Sequence, residues 1–207
     1  MTDPRTRIVA AGYDEIGEAF AEWRKRFAND PRREWEDELV ARLEPGARVL
    51  ELGCGSGTEE TKRLAARFRL TGVDISERQV ERARLAVPDA EFVCADVTEL
   101  ELPAGSFDAV ASFYVFNHIP RELLKPLLLK IHEWLVPGGW LLTAFGQSDT
   151  EDWTGDWLGA PTFFSSYPPE FNSRLVREAG FAAIRDELVT FDEPEGPATF
   201  QWVLAQA

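Results

Sequence analysis

A short apolar segment that runs into three closely spaced glycines restricts this chain to few folds. The segment Ala47-Arg48-Val49-Leu50-Glu51-Leu52 has the composition of a buried strand, and glycine follows at positions 53, 55 and 57. Residues 58–68 then have helix-forming composition. A strand, a tight loop and a helix in this order place the loop at the carboxyl end of the strand, where glycine lets the backbone approach a ligand closely.

The alternation of strand and helix continues along the chain. Apolar runs predict further strands, and the amphipathic segments between them predict helices. The further strands are predicted at 70–73, 90–94, 107–113, 140–145, 181–191 and 199–204, and the helices at 76–86, 126–136 and 170–179. Pro137-Gly138-Gly139 is predicted to end the helix 126–136. We therefore expect an α/β fold: a Rossmann-like, seven-stranded, mostly parallel sheet with helices on both faces and a C-terminal antiparallel hairpin.

Two segments fall outside this alternation. Before the first strand, four apolar residues recur at helical spacing: Ile16, Phe20, Trp23 and Phe27. This spacing predicts that residues 1–45 form a helical cap of two helices. Residues 146–169 mix Gly, Ser, Asp and Pro with aromatic residues and show no clear periodicity, so we expect an ordered, aromatic insertion on the substrate side. Because the chain contains no repeat, low-complexity tract or linker, residues 1–207 are predicted to form one domain.

Charge and cysteine content limit the partners and the compartment. The formal net charge is −14 and no segment concentrates Lys and Arg, so the chain would repel a phosphate backbone and we expect no nucleic acid partner. Cys54 and Cys94 are too few for a disulfide scaffold and are predicted to be reduced thiols. The chain has no apolar run of about 18 residues and no targeting pattern over residues 1–5. We expect a cytoplasmic monomer or homodimer without membrane contact and without a bound metal.

Two acidic residues sharpen the prediction for the glycine loop. Asp74 ends the second predicted strand, 17 residues beyond Gly57 (74 − 57), and Asp96 follows the third. A carboxylate at the end of the second strand can accept both hydrogen bonds from a ribose diol, and Asp96 can accept one from the exocyclic amine of adenine. The dinucleotide-binding fingerprint needs a third glycine at position 58, which is Thr58 here. The loop therefore disfavours a nicotinamide cofactor.

These residues resemble the class I S-adenosylmethionine-dependent methyltransferase family, in particular its small bacterial enzymes that methylate metabolites. The resemblance spans most of the chain and consists of five motifs in order: residues 49–57 (VLELGCGSG), 72–76 (GVDIS), 95–97 (ADV), 107–110 (FDAV) and 135–139 (LVPGG). It implies S-adenosylmethionine as the cofactor, with the glycine loop on the methionine part, Asp74 on the ribose and Asp96 near adenine. The residues of the implied cofactor site are Tyr13, Glu51, Gly53, Cys54, Gly55, Gly57, Asp74, Ile75, Asp96, Val97, Phe113 and His118.

The same resemblance implies transfer of a methyl group to a small-molecule acceptor by in-line displacement. Because the donor is already activated, the protein must chiefly align the nucleophile and exclude water, and a general base is optional. His118, just past the fourth predicted strand, is the candidate base, with Tyr13 and Asn117 beside it in the acceptor pocket. Aromatic residues of the insertion are predicted to form an apolar wall for a planar or hydrophobic acceptor, or else a satellite core: Trp153, Trp157, Phe163, Phe164 and Tyr167.

Two other functions stay open at this point. A protein that keeps the fold and binds S-adenosylmethionine without catalysing transfer has the same motifs. An NAD-dependent oxidoreductase needs glycine at position 58 and commonly a Tyr-x-x-x-Lys pair, and neither is present. No residue specifies the methyl-accepting atom, whether oxygen, nitrogen, carbon or sulfur.

Overall fold

Helices and strands alternate along the chain from the first strand onward. The computed structural model describes residues 3–27 and 29–207; residues 1, 2 and 28, which belong to the predicted helical cap, lie outside the described residues. The helices are α1 (Pro4–Ile16), α2 (Glu18–Arg24), α3 (Arg32–Val40), α4 (Glu59–Ala65), α5 (Glu77–Ala86), α6 (Leu124–Trp134) and α7 (Pro169–Glu178). The strands are β1 (Arg48–Leu52), β2 (Arg69–Asp74), β3 (Glu91–Cys94), β4 (Phe107–Ser112), β5 (Leu135–Gly146), β6 (Thr150–Trp157), β7 (Ala160–Ser166), β8 (Ala182–Glu193) and β9 (Gly196–Gln206).

Seven strands of the described chain form one sheet in the order β3-β2-β1-β4-β5-β9-β8. Strand β1 pairs in parallel with β2 and β4, and β9 is antiparallel to both β5 and β8. The predicted Rossmann-like, mostly parallel sheet with a C-terminal hairpin is confirmed. The strand order reverses between β1 and β4, and ligands of open α/β sheets bind beyond the carboxyl ends of the strands at such a point.

Helices cover both faces of the sheet because neighbouring residues of its central strands are apolar. Val49 of β1 packs in one core cluster with Trp35 of α3 and Leu64 of α4. Leu50, the next residue, packs on the opposite face in a second cluster with Leu128 of α6. Each of these side chains is fully buried. Burial on both faces explains why the first strand is a continuous apolar run and not an alternating pattern.

The described part of the N-terminal segment contains three helices, where the sequence pattern predicts two. The chain turns at Gly17, which separates α1 from α2 within the apolar repeat that predicted one helix. Helix α1 packs against β7 and α5, so it lies over the carboxyl edge of the sheet. Within the described residues, no helix combines the length and apolarity needed to cross a lipid bilayer.

The aromatic segment 146–169 is more regular than its composition indicates. Strands β6 and β7 form a separate two-stranded antiparallel sheet. Leu158 and Gly159 make the two-residue turn between them, with φ of 54° and 87°. Turns with both central residues at positive φ match the twist of hairpin strands. The hairpin contacts α1 and the short 3₁₀ turn Phe116–His118 after β4.

The boundary between α6 and β5 corrects one prediction. Pro137-Gly138-Gly139, predicted to follow the helix as its end, lies inside β5, which begins directly after α6 ends at Trp134. The Gly138 N–H donates to the carbonyl of Ala207, and the Ala207 N–H donates to the carbonyl of Gly139, each at 2.9 Å. Pairing with the distant end of the chain thus extends the strand into a segment whose local composition favours a turn.

Candidate functional site

A cavity lies at the carboxyl ends of β1, β2 and β4, where the strand order reverses. Its wall contains most of the residues predicted for the cofactor: Tyr13, Glu51, Gly53, Gly55, Asp74, Ile75, Asp96, Val97, Phe113 and His118. Asn117, Trp157 and Phe164 of the predicted acceptor pocket also line it. The two sets of residues therefore share one cavity.

Two residues of the glycine loop do not line the cavity and face the protein interior instead. The Cys54 side chain is fully buried in a cluster with Val80 and Phe92. Burial raises the pKa of the Cys54 thiol, which keeps it protonated and unreactive. A Cβ on Gly57 would lie 3.1 Å from the Cα of Ala83, so glycine permits close packing of the loop on α5.

Three aromatic residues predicted for the acceptor pocket also lie outside the cavity wall. Trp153 is 43% exposed, and Tyr167 stacks on Phe171 with ring centroids 4.1 Å apart. Phe163 is fully buried, and only its backbone carbonyl reaches His118. Alternation along β7 explains why Phe163 points away from the cavity while Phe164 lines it, because successive side chains of a strand point to opposite faces.

The glycine loop is held against the segment that follows β4. Gly53 has φ 72°, and a Cβ at this position would lie 2.1 Å from Cγ2 of Val115. Its N–H donates to the carbonyl of Val73 at the end of β2, at 2.7 Å. A side chain at position 53 would therefore clash with Val115 and would also strain the backbone at its positive φ.

Position 58, where a dinucleotide fingerprint would have glycine, caps the N-terminus of helix α4. The Thr58 side chain accepts from the N–H of Thr61, and the Thr61 side chain accepts from the N–H of Thr58, which forms a capping box. The Thr61 hydroxyl also donates to Oε1 of the buried Glu51, at 3.1 Å. Glu51 Oε2 has no partner among the described residues, and burial raises the pKa of this carboxyl to about 7.

Asp74 fixes the loop through its carboxylate. Oδ2 accepts from the N–H of Gly55 at 2.8 Å, and Oδ1 accepts from the N–H of Ser76 at 2.9 Å. Burial raises the pKa of Asp74, against the opposing effect of these two backbone hydrogen bonds. Each carboxylate oxygen can accept more than one hydrogen bond, so Asp74 retains capacity for a ligand hydroxyl.

Asp96 holds a carboxylate oxygen that the protein leaves unpaired. Oδ1 accepts from the N–H of Thr98 at 2.9 Å and from its hydroxyl at 2.7 Å. Oδ2 is buried without a partner among the described residues. A buried acceptor without a donor costs free energy, so this oxygen fits a ligand that brings an N–H group, such as an exocyclic amine.

His118 and Tyr13 form a hydrogen-bonded pair whose proton positions follow from its geometry. His118 Nδ1 lies 3.0 Å from the carbonyl oxygen of Phe163, which can only accept, so Nδ1 carries the ring proton. The Tyr13 hydroxyl, 2.9 Å from Nε2, therefore donates to it. Burial lowers the pKa of His118 to about 4 and raises the pKa of Tyr13, so both groups are neutral near pH 7.

Aromatic rings from three separate parts of the chain close the cavity beyond this pair. Trp157, at the end of β6, lies with its ring centroid 6.2 Å from that of Tyr13, 5.8 Å from that of Phe20 and 5.1 Å from that of Trp23. The indole N–H of Trp23 donates to Glu195 in the β8–β9 turn at 2.8 Å. Helix α2, the β6–β7 hairpin and the C-terminal hairpin thus meet at one end of the cavity.

Several residues of this end were absent from the sequence prediction. Phe20, Trp23 and Phe27 line the cavity, although their helical spacing was interpreted only as a helix face. Tyr114 and Phe200 also line it, together with two arginines, an acid and smaller residues that were not predicted: Arg24, Arg32, Glu193, Thr6, Val9, Thr58, Gln79, Val115 and Ile119. Tyr114 has φ 60°, a conformation that is rare for a bulky side chain and typical of functional sites. No local sequence signal marks Glu193 or Phe200, because only the sheet topology brings them to the cavity.

Known proteins resemble this chain in both sequence and fold. A family described as a methyltransferase domain matches residues 49–139. The chain is 39% identical over 109 residues to the 2-methyl-6-phytyl-1,4-hydroquinone methyltransferase of Synechocystis sp., a match that covers 49% of this chain and 33% of that protein. It is 29% identical over 217 residues to the 27-O-demethylrifamycin SV methyltransferase of Amycolatopsis mediterranei, and this match covers 93% of this chain and 72% of that protein.

A solved structure extends the likeness to the whole fold. The 1,6-didemethyltoxoflavin-N1-methyltransferase of Burkholderia thailandensis, solved with 1,6-didemethyltoxoflavin and S-adenosylhomocysteine bound, superposes with a TM-score of 0.73 at 19% identity. The match covers 100% of this chain and 91% of that one. By contrast, the chain spans 33% of the length of the hydroquinone methyltransferase and 72% of that of the rifamycin enzyme.

Proposed function

Because the chain belongs to the class I S-adenosylmethionine-dependent methyltransferase family, we propose that it transfers a methyl group from S-adenosylmethionine to a small-molecule acceptor. One observation carries this proposal: a single cavity wall joins the glycine loop, Asp74 and Asp96 to the neutral Tyr13–His118 pair. S-adenosylmethionine, when bound, supplies a methyl group already activated on a sulfonium. The protein must then align the acceptor and exclude water.

The part of the cavity lined by Glu51, Asp74 and Asp96, here called the donor half, has the polar groups that such a cofactor needs. Asp74 would accept from the ribose hydroxyls while its backbone hydrogen bonds hold the loop in place. The unpaired Oδ2 of Asp96 would accept from the adenine amine, and the unpaired Oε2 of Glu51 would accept from the methionine ammonium group. Ile75 and Val97, which also line the cavity, would pack on the adenine ring.

The part of the cavity lined by Tyr13, His118 and Trp157, here called the acceptor half, holds an unprotonated imidazole nitrogen that can accept a proton. His118 Nε2 is unprotonated near pH 7 because burial lowers its pKa to about 4. An acceptor O–H or N–H that donates to the Tyr13 oxygen can lose its proton to that oxygen while the Tyr13 proton passes to Nε2. The sulfonium of the bound cofactor would supply the methyl group, and the Tyr13–His118 pair would take up the proton that the acceptor loses. Nδ1 keeps its proton throughout, because it donates a hydrogen bond to the Phe163 carbonyl.

Ring-bearing, apolar acceptors fit the acceptor half best. Rings of Phe20, Trp157 and Phe164 line it, and flat apolar molecules pack well against such surfaces. The relatives above are named for a hydroquinone, a demethylrifamycin and a didemethyltoxoflavin. The net charge of −14 supports a small molecule over a nucleic acid.

We also propose that residues 1–207 act as one unit, as a monomer or homodimer. A cytoplasmic location is supported by Cys54 and Cys94, which are free thiols.

Titration calorimetry followed by a transfer assay tests the proposal. We expect S-adenosylhomocysteine to bind and NAD not to bind, and we expect a labelled methyl donor to transfer its label to one or more ring compounds in a metabolite panel. Failure of S-adenosylhomocysteine to bind at millimolar concentration would refute the donor site. Binding without transfer to any member of a broad panel would instead favour the catalytically silent alternative.

A further inference from the structure

One end of the cavity combines a carboxylate with aromatic rings. Glu193 is the last residue of β8 and lies two positions beyond Phe191, so both side chains point to the same side of the strand. The Phe191 ring lies 5.7 Å from that of Phe27 and 5.9 Å from that of Tyr114, measured between centroids. Glu193 is half-buried and lines the cavity beside this aromatic group.

Glu193 differs from the other charged side chains of the cavity wall in having no partner. The cations are both paired: Arg24 donates to Glu60 at 3.0 Å, and Arg32 donates to Asp30 at 2.8 Å. The acids of the donor half are also hydrogen-bonded, as described above. Among the described residues, no hydrogen bond or ion pair reaches the Glu193 side chain.

The neighbours of Glu193 give it no compensating charge. Glu195 accepts from the indole of Trp23, and Asp30 is committed to Arg32. Burial raises the pKa of Glu193, and the nearby Glu195 and Asp30 carboxylates raise it further. A partly buried carboxylate among like charges is best stabilised by a ligand that brings a positive charge.

Aromatic faces next to a carboxylate are a recognised environment for cations. Ring faces attract ammonium groups through their quadrupole, and the carboxylate adds a charge-assisted hydrogen bond. We propose that Glu193 determines acceptor specificity by binding a protonated amine on the acceptor. This inference rests on the proposed function, because it assumes that this half of the cavity holds the acceptor.

The amine is a recognition group and not the methylated atom. The proton acceptor of the site, the Tyr13–His118 pair, has ring contacts with Trp157 and Phe164. Glu193 instead follows Phe191, whose ring contacts Phe27 and Tyr114. An acceptor that spans these two aromatic groups therefore carries its nucleophile near Tyr13 and its amine near Glu193. The cofactor ammonium has its own acid in Glu51, which lies on the glycine-loop side.

A pair of matched probes tests the proposal on the full chain saturated with S-adenosylhomocysteine. The probes are 2-(1-naphthyl)ethylamine and 2-(1-naphthyl)ethanol, which differ only in the terminal group. By calorimetry, we expect the wild type to bind the amine about tenfold more tightly than the alcohol, or better, as a charge-assisted hydrogen bond provides. Glu193→Gln should abolish this preference and leave the affinity for S-adenosylhomocysteine unchanged.

Asp192→Asn is the matched control, because it removes the same charge from the same strand at a neighbouring acid that is exposed. It should keep the preference for the amine. Equal binding of both probes by the wild type, no binding of the amine, or a preference that survives in Glu193→Gln would each overturn the proposal. A weaker affinity of Glu193→Gln for S-adenosylhomocysteine would overturn it too, by assigning the carboxylate to the cofactor. If the wild type does not bind S-adenosylhomocysteine, the proposed function fails separately, and the two probes titrated into the free protein still decide the role of Glu193.

Discussion

Single carboxylates in this protein serve both the local fold and the ligand site. Asp74 accepts backbone hydrogen bonds from the loop before it and from the start of α5 after it. The same side chain lines the cavity. A substitution therefore removes an anchor of the loop together with the proposed ligand contact, and binding measurements must be compared with a folding control.

We predict that Asp74→Ala weakens binding of S-adenosylhomocysteine roughly 10- to 150-fold, or about 1.5 to 3 kcal/mol, through loss of charge-assisted hydrogen bonds. Titration calorimetry measures the dissociation constant, and thermal melting verifies that the variant is folded. Asp89→Asn, at an exposed acid outside the cavity, is the control. An unchanged dissociation constant in Asp74→Ala would rule out the ribose contact.

The state of His118 leads to a prediction about pH. Because the pKa of His118 is lowered to about 4, its imidazole stays unprotonated as the pH falls from about 8 to 5. We expect kcat/KM to show no decline from this group until the pH approaches that pKa. His118→Ala should lower kcat about 100-fold or more, the usual contribution of a general base.

His132→Ala is the control for this experiment, because the other histidine lies on α6 outside the cavity wall. A kcat/KM that falls with an apparent pKa near the ordinary histidine value would contradict the buried, neutral His118. Normal turnover of His118→Ala at all pH values would reduce His118 to a residue of the pocket wall.

Among single residues, those at strand ends could be predicted from sequence and those brought in by topology could not. Asp74 and Asp96 follow recognisable apolar strands, and parallel strands bring their carboxyl ends to one edge. Glu193 lies in an antiparallel hairpin far along the chain. Its place in the cavity depends on β9 inserting between β5 and β8, which no local pattern encodes.

At the scale of elements, the β6–β7 hairpin joins the N-terminal helices to the site. Trp157 has ring contacts with α1, α2 and His118 at once. The hairpin itself was not predicted, because the apolar residues of β6 are Trp153 and Trp157, four positions apart, and its Leu-Gly turn lacks the Asn-Gly or Asp-Gly signal. Packing on α1, a tertiary contact, supports its regular structure.

We predict that Trp157→Ala raises the KM for the acceptor and leaves the affinity for S-adenosylhomocysteine unchanged, because Trp157 lines the acceptor half of the cavity. Steady-state kinetics and calorimetry give the two quantities. Trp153→Ala is the matched control, since Trp153 is on the same strand, is 43% exposed and does not line the cavity. Equal effects of the two substitutions would indicate that the hairpin acts only through its stability.

The element boundaries at Pro137-Gly138-Gly139 show the same limit of local composition. Proline and glycine after an apolar helix favour a turn, and that prediction is wrong because residues 138 and 139 pair with Ala207. The existence of the sheet strands and their succession along the chain, in contrast, follow from their apolar runs. Neighbouring residues in the runs of the central strands are buried on opposite faces of the sheet, so the continuous apolar pattern agrees with the tertiary structure.

At the scale of the whole molecule, a buried acid outside the cavity makes stability depend on pH. Glu36 of α3 is fully buried; Oε2 accepts from Arg63 at 3.1 Å, and Oε1 has no partner among the described residues. Burial raises the pKa of Glu36 from 4.5 to about 8. The folded state therefore binds this proton more tightly than the unfolded state, and its stabilising effect is complete below pH 4.5 and is lost as the pH rises through 8.

We predict that the free energy of unfolding falls between pH 5 and 8 with a slope from this group of up to about 1.4 kcal/mol per pH unit. Glu36→Gln, which keeps the neutral shape, should flatten that slope relative to the wild type. Urea denaturation at several pH values measures the difference. Glu44→Gln, at an exposed position just after α3, should retain the slope of the wild type, and a Glu36→Gln profile parallel to it would contradict the raised pKa.

The hydrogen bond between Trp23 and Glu195 joins residues 172 positions apart. It closes the acceptor half from the two ends of the chain, whereas Glu51, Asp74 and Asp96 of the donor half lie within a short central stretch. Under the proposed function, substitutions in α2 or in the last hairpin are therefore expected to change the choice of acceptor and to leave cofactor binding unchanged. Acceptor selectivity can then be redesigned at these two elements without rebuilding the cofactor site.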